Sequence, residues 1–446
     1  MGRIHWGLVG STLVLSSLFF VLVGNRWASY VITPIPGLFL TDALFALGSL
    51  LGLTQVRRLK LAPRWLWWTF GTVWVYAALV ILPEFARIPV DDRYDALRDA
   101  APFLYFALAP LAALSLTAVS QRTLLWVVRI SGLSVAIISI LSVLGVLPQV
   151  SSPILGSEFV QLFAPRSDLV GAAFGIGLLA WGAWPDARLV ASWPLQGGLL
   201  LTGIALVQSR SGLVALLAAA AIAAIREARR TRSPLPVVGS LVIVIAGFGL
   251  QVALTAEPTT PAASSTPSRL QAWLQQRILR IGTANARIST WTDVVSGMTA
   301  DGSWLFGGSA GSDYLYELCT GIPKAPEFIL SGPKCAVDDA GMSPVVRDPH
   351  NWVLNISLYH GLVGLAVFVI ALTVPAWKGR KTNSAAMPIA GIATYLVSGS
   401  TFLISAGYAL LPMTVFVAWL IRNFLESTPV KHIPLERAEA APSTDA

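Results

Sequence analysis

The residues best suited to chemistry lie between Asp348 and Gly364, in the sequence DPHNWVLNISLYHGLVG. This stretch holds two of the four histidines and stands where a long polar loop meets an apolar segment. A histidine at a water–membrane boundary can act as a base near neutral pH, and His350 occupies that position. Gly361 and Gly364 follow Asn351 about three turns down a helix, where glycines let another helix or a lipid chain approach. The alternative is a helix-capping histidine followed by ordinary packing glycines.

A second candidate lies in the sequence VQSRSGLVALL, residues 207–217. The residues from Ser209 to Gly212 predict a tight turn between two apolar segments, which places Arg210 at the start of the second helix. Free N–H groups and positive potential at a helix N-terminus, beside a guanidinium, suit phosphate oxygens. The alternative is an arginine whose side chain reaches lipid headgroups.

A third arginine, Arg287, lies in an amphipathic pattern that predicts a helix over about 284–299. One face of this helix carries Ile288, Trp291, Val294, Val295 and Met298. Arg287 falls near that apolar face, where a charge needs a partner, so we interpret it as a second anion contact. The alternative is a side chain that reaches around to water. A basic amphipathic helix that includes Arg280 is expected just before it, on the membrane surface.

The composition specifies the kind of fold that positions these residues. The chain is 55% hydrophobic and 12% charged, with a mean hydropathy of +0.68. It therefore predicts an all-α polytopic membrane protein with about twelve transmembrane helices. The predicted spans lie near 6–24, 36–53, 65–83, 102–119, 124–147, 168–184, 188–206, 211–225, 235–255, 351–374, 385–403 and 408–425. The span at 211–225 is expected to be short.

The expected organisation has four parts. Helices one to nine occupy residues 1–255, a large loop occupies 256–349, helices ten to twelve occupy 350–425, and a disordered tail occupies 426–446. Lysine and arginine concentrate in the segments that place both termini in the cytoplasm and the large loop outside. The net charge of +8 is largely this bias, and we do not interpret it as nucleic-acid binding.

Both cysteines, Cys319 and Cys335, fall in the large loop. An outer compartment permits a disulfide, and this bridge would close a loop of about 17 residues and stabilise it by roughly 3 kcal/mol. The alternative is two free thiols. Neither the cysteine spacing nor the acidic residues of the outer face indicate a metal site, and no cofactor is expected.

Two other loops have simpler interpretations. Residues 304–312, WLFGGSAGS, lack the Lys-Ser/Thr ending of a P-loop, so they are expected to form a flexible tip or a lid over the site. The charges of the 84–101 loop are expected to be solvated.

Together these residues resemble the O-antigen ligase and polymerase superfamily of bacterial membrane proteins. The family pattern is His, then Asn, Ser or Gln, nine residues, and Gly-x-x-Gly. His350-Asn351 with Gly361 and Gly364 match it without a gap. The resemblance extends to the SRSG turn, the Arg287 helix, the FGG segment at 306–308 and the twelve-span layout, and it covers mainly residues 200–375.

The resemblance implies a metal-independent, inverting C-type glycosyltransferase without a cofactor in the bacterial inner membrane. The donor would be a glycan on a polyprenyl (undecaprenyl) diphosphate. A ligase transfers it to lipid A–core on the periplasmic face, whereas a polymerase joins lipid-linked repeat units. Polymerases have paired Arg-x10-Gly motifs. Arg166 and Gly177 have that spacing but Arg287 and Gly297 do not, so the ligase is favoured.

The resemblance and the chemistry assign the same roles. A diphosphate leaving group needs cations rather than an acid, and Arg210 and Arg287 would supply those cations. The acceptor hydroxyl needs a base, and His350 would be that base. Asn351 orients a sugar hydroxyl or caps the helix. Further candidate substrate contacts are Arg166, Arg280 and Arg347. His360 is expected to pack, about 15 Å deeper along a straight helix.

A twelve-span transporter or flippase is the remaining alternative. Transporters usually show intramembrane acids or broken helices. The spans here hold few ionisable residues, mainly Asp42, Arg129, Asp168 and His360, which disfavours that class.

Overall fold

Apolar helices dominate the computed structural model of the chain, as the composition requires. The structure describes residues 5–24, 40–87, 93–147, 149–151, 159–161, 167–182, 192–207, 210–255, 291–292, 294–300, 302–308, 351–380, 382, 385–399 and 407–427.

Thirteen α-helices are numbered here in chain order. They are α1 Trp6–Gly24, α2 Leu40–Leu50, α3 Arg64–Tyr76, α4 Leu82–Arg87, α5 Arg93–Leu116, α6 Gln121–Val143, α7 Ser167–Gly182, α8 Ser192–Leu206, α9 Arg210–Thr231, α10 Leu235–Thr255, α11 Trp352–Gly379, α12 Ala386–Gly399 and α13 Gly407–Ser427. A 3-10 stretch, Leu51–Leu61, follows α2, and a π-helical turn, Ala77–Ile81, joins α3 to α4. Strand β1 (Gln149–Ser151) pairs antiparallel with β2 (Phe159–Gln161).

Eight helices in the described part of the chain are long and apolar enough to cross a membrane. Three shorter apolar segments, Leu169–Gly182, Pro194–Leu206 and Ala386–Ser398, lie where spans were predicted. The polytopic helical class is therefore confirmed at this level, while the count of twelve and the placement of the large loop stay predictions. The prediction of a short span at 211–225 is wrong, because α9 continues for 22 residues through its polar last turn.

Helix α7 lies at the centre of the core. Every side chain from Leu169 to Trp181 is buried, as expected for a helix that is apolar on all sides. Helices α6, α8, α9 and α12 surround it. The crossing with α9 is close at two glycines: a Cβ on Gly171 would lie 2.2 Å from the carbonyl oxygen of Gly212, so only hydrogen fits there.

Helix α10 is the opposite case. It packs against α8 and α9 at the edge of the bundle and leaves most of its apolar side chains exposed. Only 17% of its most apolar stretch is buried, against 78% for α13. This contrast gives α10 a broad apolar face for a bilayer.

An arginine joins three helices at the other side of the core. Arg422 of α13 is 4% exposed. Its guanidinium donates to the carbonyl oxygens of Leu116 (3.3 Å) and Val119 (2.7 Å), at the end of α5, and to Oε1 of Gln121 (3.0 Å), at the start of α6. Glu426 forms an ion pair with it at 2.9 Å. We call this group the Arg422 junction.

Candidate functional site

Helix α11 reverses its direction within the predicted motif. Gly361 has φ 62° and ψ −170°, which no α-helix contains. The rings of Trp352 and Phe368 are 5.7 Å apart between centroids, although sixteen residues of straight helix would separate them by about 24 Å. Residues 352–360, called α11a, therefore fold back along residues 362–379, called α11b. The expected straight helix with Gly361 and Gly364 on one face is wrong.

A loop segment, residues 302–308, fills the break. The N–H of Leu362 donates to the carbonyl of Trp304 at 2.7 Å, and the N–H of Gly308 donates to the carbonyl of Leu358 at 2.8 Å. In a straight helix Leu362 would donate to Leu358. The loop segment thus pairs the Leu358 carbonyl and the Leu362 N–H separately, and its Leu305 carbonyl also accepts from the N–H of Val363 at 3.2 Å.

Two glycines make this contact fit. Gly307 and Gly361 both have positive φ, 77° and 62°. A Cβ on Gly361 would lie 2.2 Å from the carbonyl oxygen of Leu305, and one on Gly307 would lie 2.5 Å from the carbonyl carbon of Tyr359. The flexible tip expected for residues 304–312 is therefore wrong for 304–308. Sequence reasoning missed Gly307, and the GG pair within FGG was its only signal.

A small apolar cluster covers the outer side of α11a. It consists of Val294, Met298, Leu358 and Tyr359, with Trp304 packed against them. The helical residues 294–300 confirm the predicted apolar face at Val294 and Met298, which are fully buried, but Val295 is 39% exposed. The amphipathic pattern therefore identified the segment, and its partner is α11a.

A polar group lies on the inner side of the reversal. His360 is 2% exposed, and its Nε2 lies 3.0 Å from the carbonyl oxygen of Asp99. Since a carbonyl only accepts, Nε2 carries the proton. Phe103 contacts the imidazole edge-on, and Tyr76 donates to the His360 carbonyl at 3.4 Å. The prediction that His360 packs is confirmed. Asp99 is buried in α5, so the solvated loop predicted for residues 84–101 is wrong at this residue.

Asn351 caps α11a, one of the two roles left open for it. Its Oδ1 accepts from the N–H groups of Val353 (3.0 Å) and Leu354 (3.3 Å). An N-cap of this kind pairs N–H groups that the first turn of a helix leaves free.

The other predicted site residues are placed only in part. Arg210 begins α9, as predicted, and Ser211 beside it is buried. The tight turn predicted for residues 209–212 is wrong for Arg210, Ser211 and Gly212, which form the first turn of α9. Gly212 makes the close crossing with Gly171. Seven predicted residues lie outside the described residues: Arg166, Arg280, Arg287, Cys319, Cys335, Arg347 and His350. Within the described part, no three His, Cys, Asp or Glu side chains are grouped so as to hold a metal ion.

No protein-family model matches the chain, and no curated protein matches it either. The features that bear on function are therefore those of the chain itself, namely the fold-back of α11 and the motif residues that form it.

Proposed function

We propose that this chain is a glycosyltransferase of the O-antigen ligase type. It moves a glycan from a polyprenyl diphosphate to a hydroxyl of lipid A–core on the periplasmic face of the inner membrane. One observation supports this most: the nine residues between Asn351 and Gly361 are α11a itself. Asn351 caps this half-helix, Gly361 reverses the chain, and Gly364 leaves room for His360, since a Cβ there would lie 2.3 Å from the His360 Cβ. The spacing of the motif thus has a physical reason.

The proposed reaction is a single displacement at the anomeric carbon. His350 takes the proton of the acceptor hydroxyl while its oxygen bonds to the sugar. The bond from the sugar to the diphosphate breaks, and its electron pair stays on the diphosphate. Arg210 and Arg287 stabilise that charge, and the positive N-terminal end of α9 adds to the field.

A polymerase that joins lipid-linked repeat units is the alternative within the same superfamily. Its support is the spacing of Arg166 and Gly177. Gly177, however, packs against Gly132 of α6, where a Cβ would meet the Gly132 Cα at 2.7 Å. Helix packing therefore accounts for this glycine without a substrate.

A transporter or flippase gains one argument from the broken α11, since discontinuous helices line transporter sites. In transporters the free helix ends face the substrate. Here Leu358 and Leu362 are both paired with the loop segment. The break thus leaves fewer N–H and carbonyl groups free for a substrate than the broken helix of a transporter does.

The first prediction tests the base. In liposomes that contain the purified chain, a polyprenyl diphosphate-linked glycan and lipid A–core, His350→Ala should lower the transfer rate by about 10²–10⁴-fold and leave donor binding intact. Arg210→Ala and Arg287→Ala should lower the transfer rate and also weaken donor binding. Lysine at either position should restore the rate and the binding only in part, because it lacks the bidentate fork of arginine. EDTA should leave the rate unchanged.

His5→Ala is the matched control, because His5 is exposed at the start of α1. A wild-type rate for His350→Ala would overturn the base. Elongation of the lipid-linked glycan without transfer to lipid A–core would identify the polymerase, and transfer that EDTA abolishes and Mg²⁺ restores would exclude the metal-independent reaction.

A further inference from the structure

An arginine cluster at the end of α9 has no part in the proposed reaction. It consists of Arg226, Arg229, Arg230 and Arg232. Glu227 holds Arg230 through two hydrogen bonds of 2.9 and 2.6 Å. In the described part of the chain, no carboxylate pairs with the other three, which are exposed. The cluster therefore presents positive charge that the described part of the chain does not neutralise.

Arg232 occupies a backbone position that normally selects glycine. Its φ is +53°, and it is the one non-glycine residue with positive φ among those described. The N–H of Ser233 donates to the carbonyl of Ala228 at 3.2 Å, which closes the end of α9 around Arg232. A side chain costs energy in this conformation. An arginine held against that local preference indicates a use for its guanidinium.

A concavity opens beside Arg232. It has a volume of about 400 Å³ and is lined by Thr231, Ser233, Leu235, Pro236 and Gly239. The exposed face of α10 continues from it, and its side chains recur at helical spacing. They are Leu235, Val238, Leu241, Val242 and Ile245, exposed by 53–73%. Arg232, which lies between the lining residues Thr231 and Ser233, and the apolar strip of α10 match the two halves of one ligand.

We propose that the turn between α9 and α10 binds an anionic glycerophospholipid. The phosphate lies against Arg226, Arg229 and Arg232, and the acyl chains lie along the exposed face of α10. Basic clusters at the cytoplasmic ends of membrane helices attract anionic headgroups, and the lysine and arginine bias predicts this end to be cytoplasmic.

This site is separate from the proposed catalytic one. Arg210 begins the same helix that Arg232 follows, and the 22 residues of α9 hold the two ends about 33 Å apart. A polyprenyl diphosphate bound at Arg210 therefore lies at the other end of α9. The lipid site and the proposed reaction can fail independently.

The test is a titration of the detergent-solubilised full chain with short-chain phosphatidylglycerol, with phosphatidylcholine of equal chain length as the uncharged comparison. Phosphatidylglycerol should bind saturably and more weakly at high salt, and phosphatidylcholine should bind at least tenfold more weakly. Arg232→Gly should weaken phosphatidylglycerol binding about fivefold. It should not lower the melting temperature without lipid, because glycine suits the backbone there.

Arg122→Gln is the matched control, since it removes one exposed arginine at the start of α6 and should leave binding unchanged. Equal binding of the two lipids, or wild-type binding by Arg232→Gly, would overturn the proposal. Stronger competition by a polyprenyl phosphate than by phosphatidylglycerol would overturn it as well, because the occupant would then be the isoprenoid carrier.

Discussion

The break in α11 and the Arg422 junction solve the same problem by opposite means. Both pair backbone groups that the ends of helices leave free. At the break, backbone pairs with backbone: the loop segment supplies carbonyl groups to Leu362 and Val363 and an N–H to Leu358. At the junction, one side chain reaches the carbonyl groups of two chain positions, Leu116 and Val119.

The two solutions have different tolerances. Backbone pairing at the break requires close approach, so it depends on the absence of side chains at Gly307 and Gly361. The junction depends on the presence of one long side chain with several donors. A small addition should therefore damage the first, and a loss of donors should damage the second.

The largest effect is expected for Gly361→Ala. The backbone conformation of Gly361 is open essentially only to glycine and costs about 1–3 kcal/mol for alanine, and the contact with the Leu305 carbonyl adds overpacking of about 1–3 kcal/mol. We expect a loss of about 4 kcal/mol in the free energy of unfolding, measured by denaturation in detergent. Gly198→Ala is the control, because nothing lies within 4 Å of its Cβ position. If both variants unfold alike, the fold-back does not form.

Arg422→Met should have the next largest effect. Methionine keeps an unbranched apolar stem but removes the guanidinium with every donor, so buried carbonyl groups lose their partners, which costs about 3 kcal/mol. Lysine at this position should recover part of the loss, as it restores the charge but not the fork. The same denaturation measures it, with Arg64→Met as an exposed control. A stability equal to that of the control would show that the junction is dispensable.

The smallest effect is expected at the cap. Asn351→Ala should lower the free energy of unfolding by about 1 kcal/mol, whereas Asn351→Asp should keep stability near that of the wild type, because aspartate also caps helices. Thermal unfolding compares the two. Transfer assays on the stable Asp variant then test the second role considered for Asn351: unchanged activity assigns it to the cap alone, and lost activity assigns its amide to the substrate. Equal destabilisation by both substitutions would contradict the cap.

Much of the helical framework was predictable, because long apolar runs need backbone pairing within the membrane whatever else they do. The packed state of His360 and the buried face at Val294 and Met298 also followed from helical periodicity. The reversal at Gly361 did not. Glycines three residues apart are typical of helix packing. The sequence does not distinguish such a glycine from one at which the chain reverses its direction. Only the contact with residues 302–308, more than fifty positions earlier, distinguishes the two.

The same limit explains the other errors. The length of α9 was underestimated because its last turn is charged. Hydropathy indicates the apolar part of a segment, and a helix can continue beyond that part. Asp99 was taken as solvated, but it is buried, and its backbone carbonyl lies against His360, which is remote in sequence. The site residues of the large loop remain predictions from their types and spacing.

The hydrogen-bond exchange at the fold-back has a consequence for how the chain is assembled in its membrane. Insertion machinery responds to hydropathy, and residues 352–379 present it with one continuous apolar helix of 28 residues. The reversed form needs the carbonyl groups of the loop segment, which leaves the ribosome before α11 does. Insertion of α11 as a straight helix therefore loses no hydrogen bonds, and docking of residues 302–308 then exchanges them. The exchange of hydrogen bonds completes the motif, so the reversal forms only when residues 302–308 and α11 are both in place.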